Sequence, residues 1–262
     1  MNRLLDANPN PVSALQGRLR AYGVRGKGRL MSAEELAERG RQEVRQLLAE
    51  QRAAAERRLA RALATSGIPE RFRDKSFGAY QVTTPGQERA LIACRDYAHA
   101  LTGAAVRGDT LLLLGGSGTG KTHLACAILA QALIAGHSGR YCSLAGALRA
   151  LRDARSSLTE RVAFASLSEP PVLVLDDVTT ALDAAGRALL FEVLDARYGQ
   201  LRSTILIGDL GAEALEQALG ARILERLCES GASIVTFDWP SYRRRFLASG
   251  SPGSAPEARS QI

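Results

Sequence analysis

From Asp109 the chain reads Thr110-Leu-Leu-Leu-Leu114, then Gly115-Gly-Ser-Gly-Thr-Gly120-Lys121-Thr122, then His123-Leu-Ala-Cys-Ala-Ile-Leu-Ala-Gln-Ala-Leu133. A buried apolar strand, a glycine loop and a helix in that order fit G-x-x-x-x-G-K-[ST] in the setting the motif requires. The glycines let the backbone fold so that successive N–H groups face inward at a helix start, where the helix dipole adds to the attraction for phosphate. Gly115, Gly116, Ser117, Gly118, Thr119 and Gly120 are thus the candidate phosphate cradle. Lys121 would reach the β/γ-phosphates of ATP, and the Thr122 hydroxyl would ligate Mg²⁺. Lysine is scarce here, occurring only at 27, 75 and 121, which makes its place in the loop hard to ascribe to chance.

Pro171-Val-Leu-Val-Leu175-Asp176-Asp177 supplies a second apolar run ending in two carboxylates. Alone it reads as a plain strand end. Beside a glycine loop, it is expected to put Asp176 next to the first strand, where it can hold the water shell of a magnesium ion, and Asp177 toward an attacking water. Most ATPases of this plan carry Glu in place of Asp177. The shorter side chain sets the carboxylate about 1.5 Å further back, so slow hydrolysis is expected. Strands over Gly139–Ser143, 203–207 and 232–237, with helices over 123–135, 144–155, 185–200 and 221–228, complete the alternation. The expected fold is α/β: five parallel strands between helices, a P-loop nucleotidase core. No Asn-Lys-x-Asp string is present to read guanine.

Charge divides the chain. The first 75 residues hold sixteen of the 34 basic residues and nine of the 27 acidic ones, which accounts for the whole net charge of +7. A basic attachment segment on a neutral domain points to an anionic partner such as nucleic acid, although a solvated helix surface has the same composition. After Pro11, Leu15, Leu19 and Tyr22 recur at helical spacing, and a basic glycine loop follows. Ser32 and Glu35 then form a capping box for a helix that runs to about Ala64 with a narrow apolar stripe, which either packs on the first helix or meets a partner protein. Thr65-Ser-Gly-Ile-Pro69 stops that helix and is expected to act as a hinge. The domains expected are a basic helical partner-binding region over 1–66, a nucleotidase over 67–247 and a disordered, Ser/Pro/Gly-rich tail over 248–262. The cysteines at 94, 126, 142 and 228 have no metal spacing and read as reduced core thiols. No membrane-length apolar run or secretory signal appears, and a cytoplasmic protein is expected.

Several further strings are shared in order: Ser76-Phe-Gly-Ala-Tyr80, Pro85-Gly-Gln87, Gly118-Thr-Gly-Lys-Thr-His123, Gly220-Ala-Arg-Ile-Leu-Glu-Arg226 and Phe237-Asp-Trp-Pro-Ser-Tyr-Arg243. Together they resemble the DnaC-type bacterial helicase loaders, AAA+ ATPases related to DnaA and to the IstB transposition helpers. The resemblance covers roughly residues 67–247, and the closing string favours the DnaC side. It implies an AAA+ core without the usual helical lid, the chain ending about 20 residues after Arg243. It adds His123 and a sensor 2-like Arg243 to the ATP-binding set, and it places Asp209 at the sensor 1 position, usually Asn. An anion there would repel the γ-phosphate unless paired.

Read from the residues alone, Arg222 and Arg226 are an i, i+4 solvated helix face beside Glu225 and Glu229. The resemblance instead implies an arginine finger reaching a neighbouring subunit's ATP. Arg149, Arg152 and Arg155 are likewise either a solvated face or, by the resemblance, a stripe tracking single-stranded DNA. Trp239 and Tyr242 are read as covering the sheet edge, and Phe77 and Tyr80 as adenine contacts. The partners implied are a hexameric replicative helicase of the DnaB type, met by the N-terminal region, single-stranded DNA, and further copies of the chain in the ATP state. The alternatives are an IstB-like helper of a transposase and an ATP-binding adaptor with little hydrolysis.

Overall fold

The computed structural model describes residues 32–103, 108–154, 156–178 and 182–242. The helix expected near residues 15–22, Arg155, Arg243 and the tail from 248 lie outside the described residues.

Helix α1 (Ala33–Thr65) starts at the expected capping box: the Ser32 N–H donates to Glu35 Oε2 at 2.7 Å and the Glu35 N–H donates to Ser32 Oγ at 3.2 Å. These two bonds satisfy amide groups that a helix start otherwise leaves open. The chain divides into two compact units, 1–58 and 59–262. In the first, the stripe residues Leu36, Val44 and Leu48 remain exposed, and Glu38 pairs with Arg41 and Arg45.

The second unit begins inside α1. Leu59, Ala62 and Leu63 pack against the core of the domain, eight residues before the boundary drawn from sequence. The stop that follows is fastened rather than free, contrary to the hinge expected there. Ser66 and Ile68 are buried, and the Ser66 carbonyl accepts from the Tyr141 N–H at 2.7 Å. Gly67 has φ +81° and lies against the Tyr141 carbonyl so closely that a Cβ would overlap it. Only glycine combines that dihedral with that approach.

The sheet contains β1 (Thr110–Gly115), β2 (Gly139–Ser143), β3 (Val172–Asp176), β4 (Ser203–Gly208) and β5 (Ser233–Phe237), all parallel, in the order β2-β3-β4-β1-β5. β4 lies between β1 and β3, which corrects the expectation that the Asp176 strand borders the first strand. Alternation along each strand sorts side chains to two faces. Leu111, Leu113, Val174, Ile205 and Phe237 meet α2 (Pro85–Thr102) and α3 (Lys121–Ile134). Leu112, Leu114, Leu173, Leu175 and Leu206 meet α4 (Leu144–Arg152), α5 (Ser157–Ser168), α6 (Ala184–Gly199), α7 (Ala212–Leu219) and α8 (Ala221–Glu229).

The helix expected over 144–155 stops at Arg152, because Ser156 caps α5 by accepting from the Thr159 N–H. Arg197 on α6 is 1% exposed. It donates to Thr204 Oγ1 and to the carbonyls of Leu167, Pro170 and Ser203, tying the ends of α5 and α6 to β4. Cys94 and Cys126 are buried, as core thiols should be, but Cys228 is exposed, because it falls on the outer face of α8. Among the described residues no helix is long and apolar enough to cross a membrane.

Candidate nucleotide site

At the carboxyl ends of β1, β3 and β4 lies a cleft of about 620 Å³, a volume suited to a nucleotide-sized ligand. Its lining includes Ser117 to His123, Asp176, Asp177, Asp209, Tyr80 and Tyr242. Gly120 (φ +103°) turns the loop into α3 without a side-chain cap, so the first amides of that helix are left for an anion. Tyr80 packs on this turn; a Cβ on Gly120 would stand 2.7 Å from its ring.

The loop is held from outside as well. Thr119 Oγ1 donates to the Gly116 carbonyl at 2.8 Å, and the Thr119 carbonyl accepts from Trp239 Nε1 at 2.9 Å. The Gly118 carbonyl accepts from the Tyr242 N–H at 2.9 Å. Trp239 is buried against Phe237, so its role is structural, as expected. His123 stacks edge-on against Tyr80 and places Nε2 at 2.9 Å from the Ser76 carbonyl, which requires the Nε2–H tautomer. Burial pushes its pKa down, against the opposing hydrogen bond to the Ser76 carbonyl. Phe77 packs against the core and is not in the cleft lining.

Lys121 is 4% exposed. Its Nζ donates to the carbonyls of Gly115 at 2.8 Å and Gly116 at 2.7 Å. It also pairs with Asp209 Oδ1 at 2.7 Å, so that carboxylate has a cationic partner within the cleft. Thr122 Oγ1 donates to Asp176 Oδ2 at 2.9 Å. Hydroxyl and carboxylate thus adjoin across the width of β4, and this oxygen-only pair suits Mg²⁺, which takes few protein ligands and keeps its waters.

Tyr141 on β2, not singled out from sequence, donates its hydroxyl to the same Asp176 oxygen at 2.5 Å. Its pKa is pushed far up, first by burial and then by the Asp176 carboxylate. Nothing at position 141 announces this, since the partner lies 35 residues away on the neighbouring strand. Arg71, Phe72, Lys75 and Gln81 also line the cleft without having been foreseen.

Asp177 kinks the strand end at φ +61°, a left-handed conformation that Asp adopts more readily than longer side chains. Its pKa is raised, first by burial and then by the neighbouring Asp176 and Asp209 carboxylates, against the opposing pull of Lys121.

Neither candidate finger arginine lines the cleft. Arg226 is bound to Asp195 at 3.0 Å and Glu229 at 2.6 Å. Arg222 is exposed, with its guanidinium 3.9 Å from the Phe191 ring centre. Arg149 is exposed on α4, whereas Arg152 pairs with Asp183.

A P-loop on β1, a carboxylate on β3 two strands away and a further polar residue at the end of the intervening β4 define an AAA+ P-loop ATP-binding domain. The chain belongs to the IstB-like ATP binding protein family, which matches residues 28–248. It is similar to the replicative helicase loader DnaC of Buchnera aphidicola subsp. Baizongia pistaciae, 27% identical over 192 residues, covering 72% of this chain and 77% of that one. The Escherichia coli K12 DnaC is 29% identical over 183 residues, covering 69% and 74%. A crystal structure of the DnaC helicase loader shares the fold with a TM-score of 0.57 and 24% identity, covering 64% of this chain and 99% of that one.

Proposed function

We propose that the protein is an ATP-dependent helicase loader. The observation that carries the reading is the phosphate cleft, with Lys121, Thr122 and Asp176 assembled, in a chain similar to helicase loaders over more than two thirds of its length. Thr122 and Asp176 would hold Mg²⁺, which screens the phosphate charge when bound. Asp177 orients the attacking water from a set-back position, and hydrolysis is slow. Arg222 is the better finger toward a neighbouring copy's nucleotide, because Arg226 is already committed to Asp195 and Glu229.

The basic region over 1–66 grips a hexameric replicative helicase of the DnaB type in the cytoplasm, copies of the chain assemble in the ATP state, and hydrolysis ends the engagement. Arg149 contributes to single-stranded DNA through its exposed charge; Arg152 does so only by giving up Asp183.

Native mass spectrometry of the full chain with the replicative helicase of its own cell tests this. A complex of defined stoichiometry that changes with ATP is expected. No complex at micromolar concentrations would sink the partner assignment, and duplex binding in excess of single-strand binding would move the transposition helper ahead. Nucleotide binding with undetectable hydrolysis even in the assembled state would favour the adaptor.

A further inference from the structure

Every hydrogen of the Lys121 ammonium is already engaged. An ammonium has three donors, and here they serve the carbonyls of Gly115 and Gly116 and the carboxylate of Asp209, all within 2.8 Å. A P-loop lysine works by offering a donor to the β/γ-phosphates, so one of the three must be released before it can do so. The two carbonyls belong to the strand end and loop that wrap the phosphates, and they cannot withdraw without undoing the cradle. Asp209 can: its side chain is 41% exposed, while the Lys121 side chain is 4% exposed.

We propose that Asp209 is an internal competitor for the terminal phosphate and sets the balance between ATP and ADP in this cleft. The inference rests on the nucleotide reading above. A carboxylate 2.7 Å from Nζ stands where a phosphoryl oxygen must arrive, and after displacement it remains a like charge beside the phosphate chain. With the β-phosphate held by the loop, the γ-phosphate would extend toward Asp177 and Asp209, which line the same cleft. The penalty therefore falls more heavily on the triphosphate.

The test uses the full chain and its Asp209→Asn and Asp209→Ala variants. Equilibrium competition against a fluorescent nucleotide is read for AMPPCP and for ADP, each with Mg²⁺, after matching thermal melts establish folding. Asn keeps the shape and removes the charge; Ala covers the case in which Asn pairs wrongly. Both variants should bind AMPPCP about tenfold more tightly, a change of about 1.4 kcal/mol, and ADP less than about threefold more tightly. The gain should shrink as salt screens the repulsion. An unchanged AMPPCP-to-ADP ratio, or weaker AMPPCP binding in both variants, overturns the proposal. Failure of parent and variants alike to bind either nucleotide is a different result: it overturns the nucleotide reading, and this inference with it.

Discussion

At Asp177 burial and two neighbouring carboxylates act against the ionised form, and the sign of the effect can be followed through folding. The folded pKa is raised, so folding disfavours the carboxylate above that pKa, and the penalty disappears below the unfolded value near 4. Asp177→Asn should therefore raise the melting temperature at pH 7 by an amount that fades as the pH falls through the carboxylate range. Any gain from the greater ease of Asn at positive φ would be independent of pH, so melts at pH 7 and pH 3.5 separate the two. The same variant should lose hydrolysis while keeping nucleotide binding, read by turnover and by titration.

Tyr141 answers to another test. Removing its hydroxyl takes away a part-buried hydrogen bond to a carboxylate oxygen, worth about 1.5–3 kcal/mol. Tyr141→Phe should lower stability by about that amount and raise the Mg²⁺ concentration needed for half-maximal nucleotide affinity, since Asp176 loses one of the two side-chain donors that aim it.

Among the elements, the C-terminal end of α6 is tied to its neighbours by one buried side chain. Arg197 serves three carbonyls and a hydroxyl from inside the protein, and Arg197→Ala leaves those acceptors without partners. A loss of about 3 kcal/mol or more is expected in denaturant unfolding. What could be read in advance at this scale followed from local chemistry. The P-loop with its strand and helix, β2 over Gly139–Ser143 and the start of α1 all have signals within a few residues, and the structure places them as expected. Helix α2 was missed although Thr84, Pro85 and Gln87 make a capping box with a proline at its first turn; its glycine and polar residues hid the periodicity. The position of β4 was not legible, because strand order depends on crossovers that pass over the sheet and leave no mark in any one segment. The partners of Lys121 and Asp176 were out of reach for the same reason: Asp209 and Tyr141 arrive from strands that are neighbours only after folding.

For the whole molecule, the separation of the arginines from their own cleft makes the site incomplete without a second copy under the proposed reading. Mixing Arg222→Ala subunits, which keep the loop, with Lys121→Ala subunits, which keep the arginine, should restore ATP hydrolysis to a measurable fraction of the parent. Each variant alone should be nearly inactive, and a mixture no better than its parts would show that Arg222 does not act between copies. The stop after α1 has a mechanical meaning too. Ser66 and Gly67 are seated on the backbone of Tyr141, and the hydroxyl of that same tyrosine rests on the oxygen that Thr122 touches. A displacement at the end of that helix is thus passed to the Asp176 carboxylate through a single rigid ring, with no slack loop between them to absorb it.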